Sequence, residues 1–517
     1  MRRAILLIAL LAHAAPAPAN GDHPVFVDRS ADLPVQHIYA GGWEHFVGGG
    51  VAVFDCNGDA RPDAYAAGGE NPARLFVNVS EAPGAPVRFE RGAGLPELTG
   101  VTGAYPLDID SDGHMDLVVL RVSPNVILKG GADCRFTDAT AQWALAPGNG
   151  WSTSFSATWE DGQHWPTLAV GNYVDRADPE GPFEACDANE LHRPAGRRFA
   201  PPIRIEPGFC ALSMLISDER RLGRPFLRIS NDRHYYVRGG SEQKLDLETL
   251  RFLDETDGWP NVSLWGMGIA ARDLTGDGRA EVMSTSMGDQ LLQIATDTGY
   301  EAAPFEMGSY AHRPFIGDDG RPSTGWHAEF GDVDNDGRDD LFIAKGNVDQ
   351  MPSNAIEDPN NLLVRQPDGS FAETAHLAGL ATTDRARGAA LADLNADGKL
   401  DLIVVNRRAP LEMHENATPH AGNWLMVDVR QSGSNINAVG AFVESRIDDR
   451  IHTREITIGG GHAGGSALPQ HFGLGDAETA EIRVIWPDGE ISDWLTLDAG
   501  RTWTVTRNGT AVIAEPR

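Results

Sequence analysis

Asp332-Val333-Asp334-Asn335-Asp336-Gly337-Arg338-Asp339-Asp340, running into Leu341-Phe342-Ile343-Ala344, is the stretch whose reading decides the fold. Four carboxylates at positions 1, 3, 5 and 9 of a tight loop repel one another unless a cation draws them together. The glycine at position 6 permits a sharp turn, and the apolar run that follows has the character of a buried strand. Working outward, the same frame recurs at Asp55, Asp108, Asp273 and Asp393. Degenerate copies begin at Trp159 and Asp218, where the frame survives and most carboxylates are gone. The seven starts lie 51 to 61 residues apart. A second marker keeps the phase: Phe26, Phe136, Phe252 and Phe371, each two residues before an acid, precede the loops.

A repeat of that length suits one four-stranded blade with its turns. A lone blade cannot bury both faces, so seven must stack around an axis. The expected fold is all-β: a seven-bladed β-propeller with calcium-binding blade loops, followed by a small β-sandwich-like domain. The expected boundaries are a signal peptide over 1–19, the propeller over 20–418 and the β-domain over 419–517, with a strand near Phe26 closing the ring.

Ca²⁺ takes six to eight hard oxygen ligands, and five copies of one acidic frame point to about five structural calcium sites. The expected ligands are Asp55, Asn57, Asp59 and Asp63 in the first copy, and Asp108, Asp110, Asp112 and Asp116 in the second. Asp273, Thr275, Asp277 and Glu281 serve the fifth, Asp332, Asp334, Asp336 and Asp340 the sixth, and Asp393, Asn395, Asp397 and Asp401 the seventh. In the first copy Ala60 stands where the other four have glycine.

The 517 residues carry a formal charge of −31, which argues against nucleic acid and anionic membrane surfaces as partners. Arg2 and Arg3 precede an apolar run that ends in Ala17-Pro18-Ala19, the pattern of a cleaved signal peptide and too short to span a bilayer. The expected location is therefore secreted or periplasmic. Four cysteines in an exported chain read as two disulfides. Cys186 with Cys210 is favoured because the pair brackets a strandless Pro- and Arg-rich excursion, which leaves Cys56 with Cys134. Sequons at Asn78, Asn261, Asn416 and Asn508 are three-residue patterns of little weight.

Past the linker Asn416–Asn423 the acidic repeat stops and short β-rich runs begin, among them Trp424-Leu-Met-Val, Glu455-Ile-Thr-Ile and Ile482-Arg-Val-Ile-Trp486. Asn423-Trp424-Leu425, Ala438-Val439-Gly440-Ala441, Gly459-Gly460-Gly461, His471-Phe472-Gly473-Leu474-Gly475 and Trp486-Pro487-Asp488-Gly489 resemble the ASPIC/UnbV domain. With FG-GAP/VCBS-type repeats before it, the whole chain resembles the cartilage acidic protein family in a bacterial-type member. That resemblance implies an exported, calcium-loaded propeller with a β-domain, and no particular reaction. The family often carries Tyr-x-Ser-Gln after the glycines, where this chain reads His462-Ala463-Gly464-Gly465-Ser466.

Candidate ligand-binding residues cluster after the degenerate fourth loop: Asn231, Asp232, Arg233, His234 and Tyr235, with Trp265 and His327 near them by repeat phase. Arg385-Ala386-Arg387 is a further candidate for that ligand pocket by repeat phase, the alternative being an arginine cluster that offsets local carboxylates. No familiar hydrolase or phosphate-loop motif is present. These features favour a binding protein for a protein or glycan partner. The alternative is an extracytoplasmic enzyme acting on a polysaccharide or small molecule at the propeller face.

Overall fold

In each repeat the strand before the acidic loop is apolar or small-residue throughout, which suits burial on both faces, and strands farther out alternate. Val101–Leu107 is buried along its whole length, whereas Phe89–Arg91 buries only its phenylalanine. The computed structural model describes residues 23–146, 148–232, 239–310, 321–447 and 450–517, and in them this gradient becomes seven antiparallel four-stranded blades. The innermost strands are Val51–Phe54, Val101–Leu107, Ser152–Thr158, Ala211–Ser217, Gly266–Arg272, Gly325–Gly331 and Ala386–Ala392. Every acidic or degenerate loop joins an innermost strand to the second strand of its blade, so all seven loops lie on one face of the ring.

The phenylalanine marker falls in the outermost strand of four blades: Phe136 in blade 2, Phe252 in blade 4, Phe371 in blade 6 and Phe26 in blade 7. Blade 7 takes that strand, Phe26–Asp28, from the start of the described chain, paired antiparallel with Glu412–Asn416. First and last repeats thus share one sheet, which closes the ring. Both disulfides form as expected, Cys56 with Cys134 and Cys186 with Cys210.

The C-terminal domain is two four-stranded sheets. One is ordered Gln470–Gly475, Asn423–Gln431, Arg501–Asn508, Ala511–Pro516; the other Arg450–Glu455, Phe442–Ile447, Thr479–Ile485, Leu495–Asp498. Leu425, Val427, Phe472, Ile482, Val484 and Trp486 fill the space between them.

One expectation is corrected here. Glu455-Ile-Thr-Ile is not a sandwich strand beyond Glu455. From Ile456 to Ala467 the chain leaves the domain and threads the centre of the propeller. Ile458 bridges Ala157, Gly459 bridges Leu215, Gly461 bridges Ile269, and Ser466–Ala467 pairs in parallel with Val53–Phe54. The inner strands are full on their sheet sides and open toward the axis, so a glycine-rich segment finds free backbone partners there.

The approach is close enough to dictate composition. A Cβ on Gly50 or Gly103 would lie 1.8 or 1.7 Å from the Ala463 carbonyl oxygen. The position five residues before each loop is Gly50, Gly103, Ser154, Ser213, Gly268, His327 and Gly388. Of these, Gly50, Gly103, Gly268, Gly388 and His327 lie directly against the inserted segment.

Candidate functional site

Each acidic loop is built by its first carboxylate. Asp108 accepts the amides of Asp112 and Gly113, Asp332 those of Asp336 and Gly337, and Asp393 those of Asp397 and Gly398. The sixth residue has positive φ in all five copies, including Ala60 at 67°, which explains the glycine at the other four. The ninth residue ties the loop to the blade. Asp63 accepts the Cys56 and Asn78 amides, and Asp116, Asp340 and Asp401 repeat the pattern.

Burial, reinforced by neighbouring like charges, pushes several of these carboxyls up: Asp63 to about 7, Asp116 to about 8, Glu281 to about 7 and Asp393 to about 7. Asp332, Asp340 and Asp401 are likewise raised well above the ordinary carboxylate range by the same causes. Desolvated carboxylates with no balancing charge favour protonation or a cation.

In loops 2 and 6 three carboxylate oxygens from one loop come within 4.8 Å of one another, from Asp108, Asp110 and Asp116 and from Asp332, Asp334 and Asp336. This hard, closely spaced oxygen set fits Ca²⁺. In loop 1 the residues gathered around Asp63 are Cys56 and Cys134, whose sulfurs are spent in the disulfide. Basic side chains touch the loops as well: Lys129 lies on Asp110 and Asp112, Arg279 on Asp277 and Arg517 on Asp55.

The two degenerate loops show what replaces the acidic cluster. At position 2 the five acidic copies carry Cys56, Ile109, Leu274, Val333 and Leu394, none of them charged. Blades 3 and 4 carry Glu160 and Glu219 there instead. Arg193 makes a two-pronged bond to Glu160, at 2.8 Å each, and Thr167 in the ninth position also donates to it. Glu219 is fully buried against Arg228 at 2.9 Å and Lys244 at 2.5 Å, with the Tyr300 hydroxyl also donating. Burial opposes its ionisation, but the two cations outweigh burial and hold Glu219 down to about 2. Internal ion pairs occupy the frame where the acidic cluster is missing.

All seven loops are covered by the C-terminal domain. Arg517 reaches loop 1, Asn435 bonds Ser111 in loop 2, and Ser434 contacts Gln163 in loop 3. Glu455 accepts the Asp218 amide in loop 4, and the Ile451 carbonyl packs against Gly276 in loop 5. The Gly475 amide donates to Asn335 in loop 6, and His471 meets the Gly398 carbonyl in loop 7. A cavity of about 490 Å³ remains between the two layers, with Arg272, Glu329, Arg454 and Glu455 among its walls.

Inside the channel, His462 is fully buried. Its Nε2 accepts the Gly48 amide and its own amide donates to His327 Nδ1. Burial first, then Arg387 and His327, push its pKa down to about 3, so the ring is neutral with its proton on Nδ1. Phe46, Trp151, Tyr173 and Trp326 pack at the other mouth of the channel.

These positions decide the candidate ligand residues one by one. Asn231 is buried, its amide spent on the Ser241 carbonyl and Gln243. Asp232 accepts the Tyr173 hydroxyl and pairs through its backbone with Trp265, so those two do come together on the uncapped face. His327 is separate from them, a channel residue under the inserted segment. Arg233, His234 and Tyr235 lie outside the described residues. The sequons at Asn78 and Asn416 are buried latches: Asn78 donates to Pro62 and Leu394, Asn416 to Val333 and Leu400. The inserted segment itself was missed in the sequence, although the small residue five places before six of the seven loops was a readable sign of it.

Residues 431–512 match the ASPIC and UnbV family, and residues 55–119 and 332–404 match the FG-GAP-like repeat. The chain carries FG-GAP-like repeats and an ASPIC and UnbV domain. The matched ASPIC and UnbV span includes the whole inserted segment. The chain is similar to cartilage acidic protein 1 of Xenopus tropicalis, at 32% identity over 110 residues, and to those of Mus musculus and Homo sapiens at 30%. Each match covers 21% of this chain and 17% of the relative, so about a sixth of the relatives' length is spanned. Among solved structures, BBS1N in complex with ARL6DN aligns with a TM-score of 0.45 at 11% identity, over 77% of this chain and 98% of that one. A lectin of Agrocybe aegerita that recognises non-reducing terminal N-acetylglucosamine aligns at 0.30 and 14% identity, over 73% and 81%. No helix among the described residues is long and apolar enough to cross a membrane.

Proposed function

We propose that this FG-GAP repeat protein is an exported interaction scaffold, stapled by calcium at up to five loops, that presents its uncapped propeller face to a protein or glycan partner. The observation carrying this reading is the cap. Seven loops on one face and the axial channel are occupied by the ASPIC and UnbV domain, which leaves the opposite face as the broad loop-built surface available to a partner. The FG-GAP repeats and the two disulfides support an extracellular setting. Calcium, when bound, supplies the charge that lets the buried loop carboxylates ionise together. The chain's own part is to hold those carboxylates by backbone amides and to tie each loop to its blade.

The test places a polyethylene glycol chain on Glu357→Cys, an exposed residue of the uncapped face, or on Thr510→Cys at the far turn of the C-terminal domain. Binding is read on a glycan array and a panel of matrix proteins. Binding lost with the first conjugate and kept with the second supports the reading. Binding lost only with the second moves the partner site to the C-terminal domain and overturns it.

A further inference from the structure

On the uncapped face four arginines converge at the junction of blades 6, 7 and 1. Arg385, Arg407 and Arg408 all reach one oxygen of Asp349, at 3.7, 2.9 and 3.0 Å. Among the described residues Asp349 is the one carboxylate in ion-pair range of these three. Asp384, next in sequence to Arg385, feels its charge but lies outside that range. Arg387 is fully buried and has no carboxylate partner among the described residues. Its guanidinium is held by the carbonyls of Phe46, Arg385, Ala386, Asn347 and Val348, and it stacks over the Trp326 ring at 3.9 Å. Among the described residues the cluster of four arginines thus has one carboxylate in ion-pair range. It concentrates positive charge in a chain whose formal charge is −31.

The arginines also hold an aromatic in place. Arg408 donates to the Gly41 carbonyl, Arg407 to His45 and Arg387 to Phe46, so three of them grip the turn Trp43–His45 and its flanks. Trp43 is 47% exposed and rests edge-on against Trp151. Arg385, Arg408 and Asp349 are 33, 43 and 45% exposed at the side chain, so the patch faces solvent while its supports are buried.

We propose that this patch binds an acidic polysaccharide, with the exposed Arg385 and Arg408 taking a sulfate or carboxylate group, Arg407 buried behind them adding its charge, and Trp43 stacking on the adjoining sugar ring. The planar guanidinium fork matches either anion in two-pronged geometry, and positions fixed in advance spare the side-chain entropy that lysines would lose. Asp349 draws the three cations together when no ligand is bound and leaves them with charge to spare. An acidic peptide is the less favoured occupant, because the patch is built from loops and offers no free strand edge or helix groove. The proposal rests on the uncapped face being the partner face.

The test uses the full chain on immobilised heparin and hyaluronate, with dextran as the uncharged control and poly-glutamate as the peptide control. Wild-type protein should bind heparin or hyaluronate, more weakly as salt rises, and ignore dextran. Arg385→Ala with Arg408→Ala should weaken binding about tenfold or more, the loss of one to two charged hydrogen bonds. Arg224→Ala with Arg251→Ala removes the same charge from exposed sites elsewhere and should leave binding intact. Trp43→Ala should weaken the saccharides and spare poly-glutamate. No binding of either acidic polysaccharide at low salt overturns the proposal, as does equal loss in the two double variants. Tight poly-glutamate binding indifferent to Trp43 reassigns the patch to acidic peptides. Polyethylene glycol on Glu357→Cys separates the two levels: if it blocks heparin while the double variant still binds, the face is right and the patch is wrong. If it leaves heparin binding intact, the face itself is wrong.

Discussion

At the scale of single residues, the chain alternates between carboxylates that want a cation and carboxylates that already have one. Lys129 bonds Asp110 and Asp112 in loop 2, and on the calcium proposal it would compete with the ion for the same oxygens. Lys129→Met should therefore enlarge the drop in melting temperature that a chelator causes, measured by scanning calorimetry with and without the chelator. Glu455 has the opposite problem. Burial at the domain junction pushes it up to about 8, with Asp218 and Glu219 adding to the rise and the Ser217 and Asp218 hydrogen bonds opposing it. Its folded pKa exceeds the unfolded value, so its contribution is fully present below about pH 4.5 and is lost as pH rises through about 8. Glu455→Gln still accepts the Asp218 amide, turns its Nε2 toward the Ser217 hydroxyl, and should flatten the fall in stability between about pH 5 and 8, followed by melts across that range. Gly103 tests the channel. Its β-carbon would sit 1.7 Å from a backbone oxygen, so Gly103→Val should cost about 3 kcal/mol or more, whereas Gly42→Ala, which meets nothing nearer than 3.6 Å, should be almost neutral.

At the scale of elements, a blade without the acidic cluster survives by carrying its own ion pair. Glu219→Gln leaves Arg228 and Lys244 buried without their carboxylate, and breaking such a pair costs about 3–5 kcal/mol. The loss should appear equally in calcium and in chelator, because blade 4 lacks the acidic loop. A melting curve in each condition distinguishes this from a calcium effect. The Cys56–Cys134 bond joins blade 1 to blade 2 across 78 residues of sequence. On the chain-entropy account its removal costs about 4.5 kcal/mol, readable in denaturant titrations of the Cys56→Ser, Cys134→Ser variant.

For the whole molecule, the calcium reading makes a quantitative demand. Elemental analysis of the folded protein should find up to five calcium ions per chain, and excess chelator should lower the melting temperature, since a ligand bound only by the native state stabilises it. Zero calcium with no thermal shift would leave the loops as backbone-capped turns. The ring would still be held by its strand closure, its disulfides and the inserted segment. That segment also makes propeller and cap a single folding unit, because residues of the second domain fill the axis of the first.

Periodicity alone determined the seven blades, their phase, the closing strand at Phe26 and the acidic loops, since each repeat writes its strand and turn chemistry locally. The cysteine pairing was also legible, because few residues had to be matched and one pair bracketed a strandless excursion. The route of residues 456–467 through the channel was decided only by tertiary structure. A glycine-rich run between strands reads as a loop, and nothing local says that the backbone partners it needs are the inner strands of another domain. For the same reason His327 looked like a surface candidate and is a channel residue, and Arg387 is buried among backbone carbonyls while Arg385 pairs with Asp349. Which side chains share a face depends on how blades stack and what covers them, and a repeat motif encodes only its own blade.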